Sequence, residues 1–171
     1  RWGMAERVIL TIGTKKGVFV AESAKTRRRF ELRGPFAAGV GVYASLIDTR
    51  GTPTVYASSC SPFFGMKVLV STNLGKSFKE TKSAPAFPKD DGRALANIWS
   101  LEAGAGRKEV WCGVEPASLF RSRDGGDSWE LVPGISQRGA VSRLPEGLVG
   151  GGDLRRGLPR RGRLMGPIGR P

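Results

Sequence analysis

Residues Ser122–Trp129 read SRDGGDSW, and they stand between two short apolar runs, SLFRS and ELV. A serine, an acid, two glycines and an aromatic ring in eight residues form either a catalytic loop or a structural turn. Repetition separates the two. The stretch STNLGKSF, Ser71–Phe78, lies 51 positions earlier (122 against 71) and keeps the serine, an amide for the acid, a glycine and an aromatic. A degenerate copy, SAKTRRRF, Ser23–Phe30, lies 48 positions before that (71 against 23). It keeps only the serine and the aromatic, with Lys25 and Arg27 at the acid and glycine positions. A period near 50 residues marks a repeat architecture.

The flanks repeat as well. Two short apolar runs precede each turn: VILTIG and GVFVAES, TVYASS and KVLVS, EVWCGV and SLFRS. A short alternating run follows each one: FELR, SFKET, SWELV. Runs of this length, rich in Val, Ile, Phe, Tyr and Trp and bounded by Gly, Pro, Ser and Asp, read as strands. With GVYASLID and NIWSLEA added, the second unit is predicted to have strands at 41–48, 54–60, 67–71 and 77–81. The third has them at 97–103, 109–114, 118–122 and 128–132; the first lacks its innermost strand. Four antiparallel strands per repeat make a propeller blade. The expected fold is therefore all-β: a partial β-propeller of about three four-stranded antiparallel blades, the first incomplete, over residues 1–135.

Residues 7–135 resemble a known family. The eight-residue pattern looks like the Asp box, or BNR repeat, of sialidase-like propellers, at Ser122, Asp124, Gly126 and Trp129 and again at Ser71, Asn73, Gly75 and Phe78. IGTKKGVFV, SPFFG and GVEPASLFRSRDGGDSWELV are similar to a bacterial branch labelled glycosyl hydrolase or WD40/YVTN/BNR-like repeat protein. In such a box the acid accepts backbone N–H groups and closes a turn. The glycines take positive φ, and the aromatic packs against neighbouring strands. The box is thus architectural and leaves the site elsewhere.

Strand direction places that site on the opposite face of the disc. It carries GTKKG (13–17), SCSPFFGM (59–66), GVEPAS (113–118) and the connectors 33–39 and 83–95. Loops on a rigid scaffold are where binding residues concentrate. The candidates are Lys15, Lys16, Phe63, Phe64, Asp90, Asp91, Arg93 and Glu115; Glu115 ends a strand near the expected central channel. The expected partner is a small molecule, a glycan or a protein on this loop face.

Catalysis has little support. The family resemblance implies for a sialidase three arginines gripping a carboxylate, a tyrosine nucleophile aided by a glutamate, and an aspartic acid/base, an exception among glycosidases. The only tyrosines, Tyr43 and Tyr56, fall in predicted strands, the usual Arg-Ile-Pro motif is absent, and Arg27, Arg28 and Arg29 lie on the other face. No residue receives a catalytic role; a glycoside hydrolase is the alternative for a longer protein. Without histidine, His triads and His metal sites are excluded. Cys60 and Cys112 read as two reduced buried thiols. Asp90–Asp91 lacks the ligand loop a calcium site requires. No metal or cofactor is expected.

The text changes character at Ser136. Residues 136–171 hold eight arginines, nine glycines, four prolines and no aromatic. This segment is expected to be disordered, because it has too little apolar surface to offset its ordering entropy. It reads as a tail translated out of frame after LVPGI, with Met4 as the start and the whole a fragment of a propeller roughly twice this length. The alternative is a genuine Arg-rich arm of this chain, which has net charge +13, binding nucleic acid or an anionic surface by charge alone. It lacks aromatics for base stacking. No signal peptide and no run of about 20 apolar residues is visible, so a cytoplasmic location is expected.

Overall fold

The computed structural model describes residues 7–133; the Met4 start and the disordered, out-of-frame or Arg-rich reading of 136–171 lie outside them. The described residues are all-β, in three antiparallel sheets without a helix. Sheet one contains β1 (Arg7–Thr14), β2 (Gly17–Ala24) and β3 (Glu31–Phe36). Sheet two contains β4 (Ser45–Asp48), β5 (Thr54–Ser61), β6 (Gly65–Ser71) and β7 (Lys79–Glu80). Sheet three contains β8 (Asn97–Ala103), β9 (Val110–Glu115), β10 (Ser118–Ser122) and β11 (Glu130–Leu131). Each is an up-and-down meander in chain order, the topology of a propeller blade. The first has three strands, as its missing innermost run requires.

The blades pack face to face. Val18 from the first meets Val42, Ala57 and Leu69 from the second, with Phe36 and Phe78 against them. Tyr56, Cys60 and Val68 from the second meet Ile98, Leu101, Val110, Cys112, Val114 and Phe120 from the third. β5 buries both its faces because it has a blade on either side, so it reads as a nearly continuous buried run. Polar bridges cross the seams: Thr11 and Ser45 share a hydroxyl hydrogen bond of 2.9 Å, and Arg50 donates to the Glu109 carbonyl at 2.9 Å.

Four strands, β3, β4, β7 and β11, differ clearly from the sequence reading. The innermost strand of the second blade starts at Ser45, not at 41, leaving only a lone bridge between Gly41 and Cys60. Ser58 causes the break: its Oγ accepts the N–H groups of Tyr43 and Ala44, both at 3.0 Å, and lifts them off the ladder. The outer strands β7 and β11 are two residues long instead of five. Phe78 and Trp129, counted as strand residues, turn in to pack against the two cores. That orientation removes them from the ladder. β3 is longer than FELR and bulges against β2 between Val18 and Val20.

The serine turns are built alike. Ser122 Oγ donates to Asp124 Oδ1 at 2.8 Å and accepts the Gly126 N–H at 2.7 Å. Asp124 also accepts the N–H and Oγ–H of Ser128. In the second blade Ser71 Oγ donates to Asn73 Oδ1 at 2.8 Å and accepts the Gly75 N–H at 2.9 Å. Asn73 Oδ1 accepts the N–H groups of Lys76 and Ser77. In the first blade Ser23 donates instead to the Arg29 carbonyl, the simpler closure left to a turn without an acid. Gly75 has φ of 74°. A Cβ there would lie 2.6 Å from Val20 Cγ2 of the first blade, so the turn also sets how closely two blades approach.

Candidate aromatic and carboxylate site on the loop face

The lifted segment before β4 has a counterpart in β8. Register shifts there between Ile98 and Ser100, opposite Gly113, where a Cβ would lie 2.4 Å from Ser100 Oγ. Bulges of this kind re-aim a side chain off the sheet. The residues displaced are Tyr43, two positions before β4, and Trp99, within β8. Both are open to solvent, at 46% and 52% exposure. Their ring centroids lie 5.3 Å apart with planes at 51°. Gly41 admits the tyrosine: a Cβ there would lie 3.1 Å from its ring and hydroxyl.

Glu115 completes the corner. It ends β9, directly opposite Asn97 at the start of β8. Its Oε2 accepts the Trp99 indole N–H at 3.1 Å, and its carbonyl accepts the Ala96 N–H at 2.8 Å. A depression of about 390 Å³ lies beside Tyr43, bordered by Ser61, Pro62, Met66 and Asn97. The β5–β6 turn beyond it presents Phe63 and Phe64, 89% and 77% exposed. Ser61 Oγ braces that turn by accepting both their N–H groups. Phe64 also borders a groove of about 460 Å³ between the first two blades, with Phe36, Lys67 and Phe78.

The other residues singled out from sequence lie apart from this corner or are engaged elsewhere. Lys15 and Lys16 form the β1–β2 turn, where the Lys16 carbonyl accepts the Gly39 N–H. Asp90 is exposed. Asp91 is held by the Arg93 guanidinium through both its oxygens, which keeps its carboxyl below the usual range. Arg93 also lies over the Phe87 ring at 4.2 Å and donates to Ser118 Oγ. Asp91 and Arg93 thus pin the long connector to the third blade. Tyr43 is not within a strand, contrary to the sequence reading. Tyr56 is, and burial raises its phenol. The two thiols are buried and form no disulfide. Burial pushes the Cys112 thiol up to about 12.

Tyr43 and Trp99 were missed because their runs, GVYAS and NIWSL, alternate like ordinary strand text. The available signal was their equal place in successive units, each an aromatic at the start of an innermost strand. On the opposite face, a cleft of about 540 Å³ includes Asp48, Arg107, Lys108, Asp124 and Asp127. Its acids are already committed: Asp48 to Arg50, Asp124 to its turn, and Asp127 to Lys82.

No family model matches the chain, and no curated protein matches it. Among solved structures it is similar to YCF48 bound to D1 peptide, at 15% identity and a TM-score of 0.47. That match covers 74% of this chain and 43% of the other, so the chain spans under half of that structure's length. It is also similar to a fucose lectin from Kordia zhangzhouensis in complex with methyl-fucoside, at 9% identity and a TM-score of 0.43. There the match covers 74% of this chain and 91% of the lectin. No helix among the described residues is long and apolar enough to cross a membrane.

Proposed function

We propose that this chain is a unit of an Asp-box propeller that binds a ligand or partner on its loop face and carries out no chemistry of its own. Tyr43, Trp99 and Glu115 form the centre of the site, with Phe63 and Phe64 at its rim. The observation that carries this reading is the exposed aromatic pair at matching positions of two blades, Tyr43 set by the Ser58 contact and Trp99 by the β8 bulge. Exposed rings on a held backbone lose little side-chain entropy on binding, which is why aromatics dominate binding hot spots. The serine turns on the other face are the Asp boxes, and their role is to close blades. Of the other loop-face residues, Asp91 and Arg93 pin the connector to the third blade, and Lys15, Lys16 and Asp90 stay outside the proposed site.

Glycan and peptide arrays probed with the full chain test this reading. Binding should fall at least tenfold in Tyr43→Ala and Trp99→Ala, and stay unchanged in Lys82→Ala on the opposite face. Equal binding by all four proteins would overturn it. Turnover of aryl glycosides that disappears in Glu115→Gln would assign hydrolysis instead.

A further inference from the structure

The corner has a chemical bias beyond being aromatic. Trp99 would be its natural hydrogen-bond donor, but its indole N–H is used by Glu115. Two π faces and a carboxylate remain, with the Tyr43 hydroxyl as a donor. A ligand rich in hydroxyls needs donors and acceptors in balance, and this corner supplies mainly acceptors. A cation fits better: aromatic faces attract it through their quadrupole, and a carboxylate adds a full charge.

Charge bookkeeping across the surface agrees. The chain carries 28 basic and 15 acidic residues. Glu22, Asp48, Glu80, Asp91, Asp127 and Glu130 all pair with arginine or lysine. Glu115, like Glu31, Asp90, Glu102 and Asp124, is in none of these pairs, and among these five it is the carboxylate that bonds Trp99, through Oε2.

From this geometry, and resting on the loop-face reading above, we propose that the Tyr43–Trp99–Glu115 corner receives an alkylammonium group. The ammonium packs its carbons on the rings and turns its charge toward Glu115. It is supplied either by a lysine side chain of a protein partner or by a small quaternary amine.

The test titrates the full chain with choline, with N-acetyl-lysine methylamide, and with 3,3-dimethyl-1-butanol, the uncharged analogue of choline, by isothermal titration calorimetry, which reads every variant alike. A methyl glycoside is titrated in parallel. At least one ammonium compound should saturate, at least tenfold more tightly than the uncharged analogue. Glu115→Gln should weaken it about tenfold, and added salt should do the same in direction. Trp99→Phe keeps a ring without the indole N–H and should retain part of the affinity, while Trp99→Ala should abolish it. Melting curves confirm that each variant is folded. Saturation by the lysine amide alone points to a partner side chain, and by choline alone to a small amine; either supports the proposal. Equal binding of choline and its uncharged analogue overturns it. Glycoside binding that needs Trp99 but not Glu115 overturns it and leaves the loop-face reading standing. Failure of every probe, together with array binding insensitive to Trp99→Ala, overturns both.

Discussion

Asp124 illustrates what a single side chain does in these turns. Burial pushes its carboxyl up, but hydrogen bonds from the Ser128 hydroxyl and N–H and from Ser122 outweigh this and hold it at about 2, against an ordinary 3.8. A folded-state value below the unfolded one adds stability above the unfolded value. That stability is lost as pH falls through about 2. Acid titration of the melting temperature should show this loss between about pH 4 and 2, and Asp124→Asn should flatten it. The asparagine keeps an acceptor, as Asn73 does in the second blade. Asp124→Ala removes it and should cost about 1–2 kcal/mol at neutral pH. Gly75 fails differently. An alanine there meets Val20 at 2.6 Å in a left-handed conformation, and it should destabilise by about 1–3 kcal/mol. Val20→Ala should partly rescue it in urea melts; strictly additive losses would show that the contact is not the cause.

At the scale of the element, the bulges decide what the loop face displays. Ser58 Oγ holds the N–H groups of Tyr43 and Ala44 off the ladder. Ser58→Ala leaves both donors without an acceptor, at a cost of about 1–3 kcal/mol for a buried group. Two readouts should move together: a lower melting temperature and weaker ligand binding through Tyr43. Unchanged binding in a destabilised variant would show that the tyrosine is placed by Gly41 and Trp99 alone. The strands were legible from their apolar runs because each lies between turns the chain cannot mistake. The displacements were not legible. That of Tyr43 depends on Ser58 one strand away reaching back to two backbone N–H groups, that of Trp99 on a register shift opposite Gly113, and no local pattern reports either.

At the scale of the molecule, the blades are unequal. Leu10, Ala21 and Leu32 form one cross-strand row on the first blade. Aligning the turn serines makes Leu10 and Ala21 equivalent to Ala57 and Leu69, and to Cys112 and Phe120, pairs that the preceding blade buries. In the first blade Ala21 is buried, but Leu10 and Leu32 on either side of it are exposed, at 45% and 60%. Apolar sheet faces of this kind associate. The chain should therefore sediment with concentration-dependent mass, and Leu10→Lys with Leu32→Lys should shift it toward monomer. A monomer at all concentrations before substitution would contradict this.

By itself the sequence determined the repeat, the all-β class, the order of strands within each unit, the three-stranded first unit among the described residues and the chemistry of the turns. These follow from local rules: side-chain alternation, turn residues and a period near 50. It also put Glu115 and the Phe63–Phe64 turn among the candidates. Only the tertiary structure decided which candidates meet. It tied Asp91 and Arg93 to each other, and it brought Tyr43 and Trp99 within 5.3 Å across two blades. The physical reason is that a site between blades forms from residues 56 positions apart (99 against 43). Their approach is set by blade packing, by the Ser58 contact and by the β8 bulge, none of which a single stretch of the chain encodes.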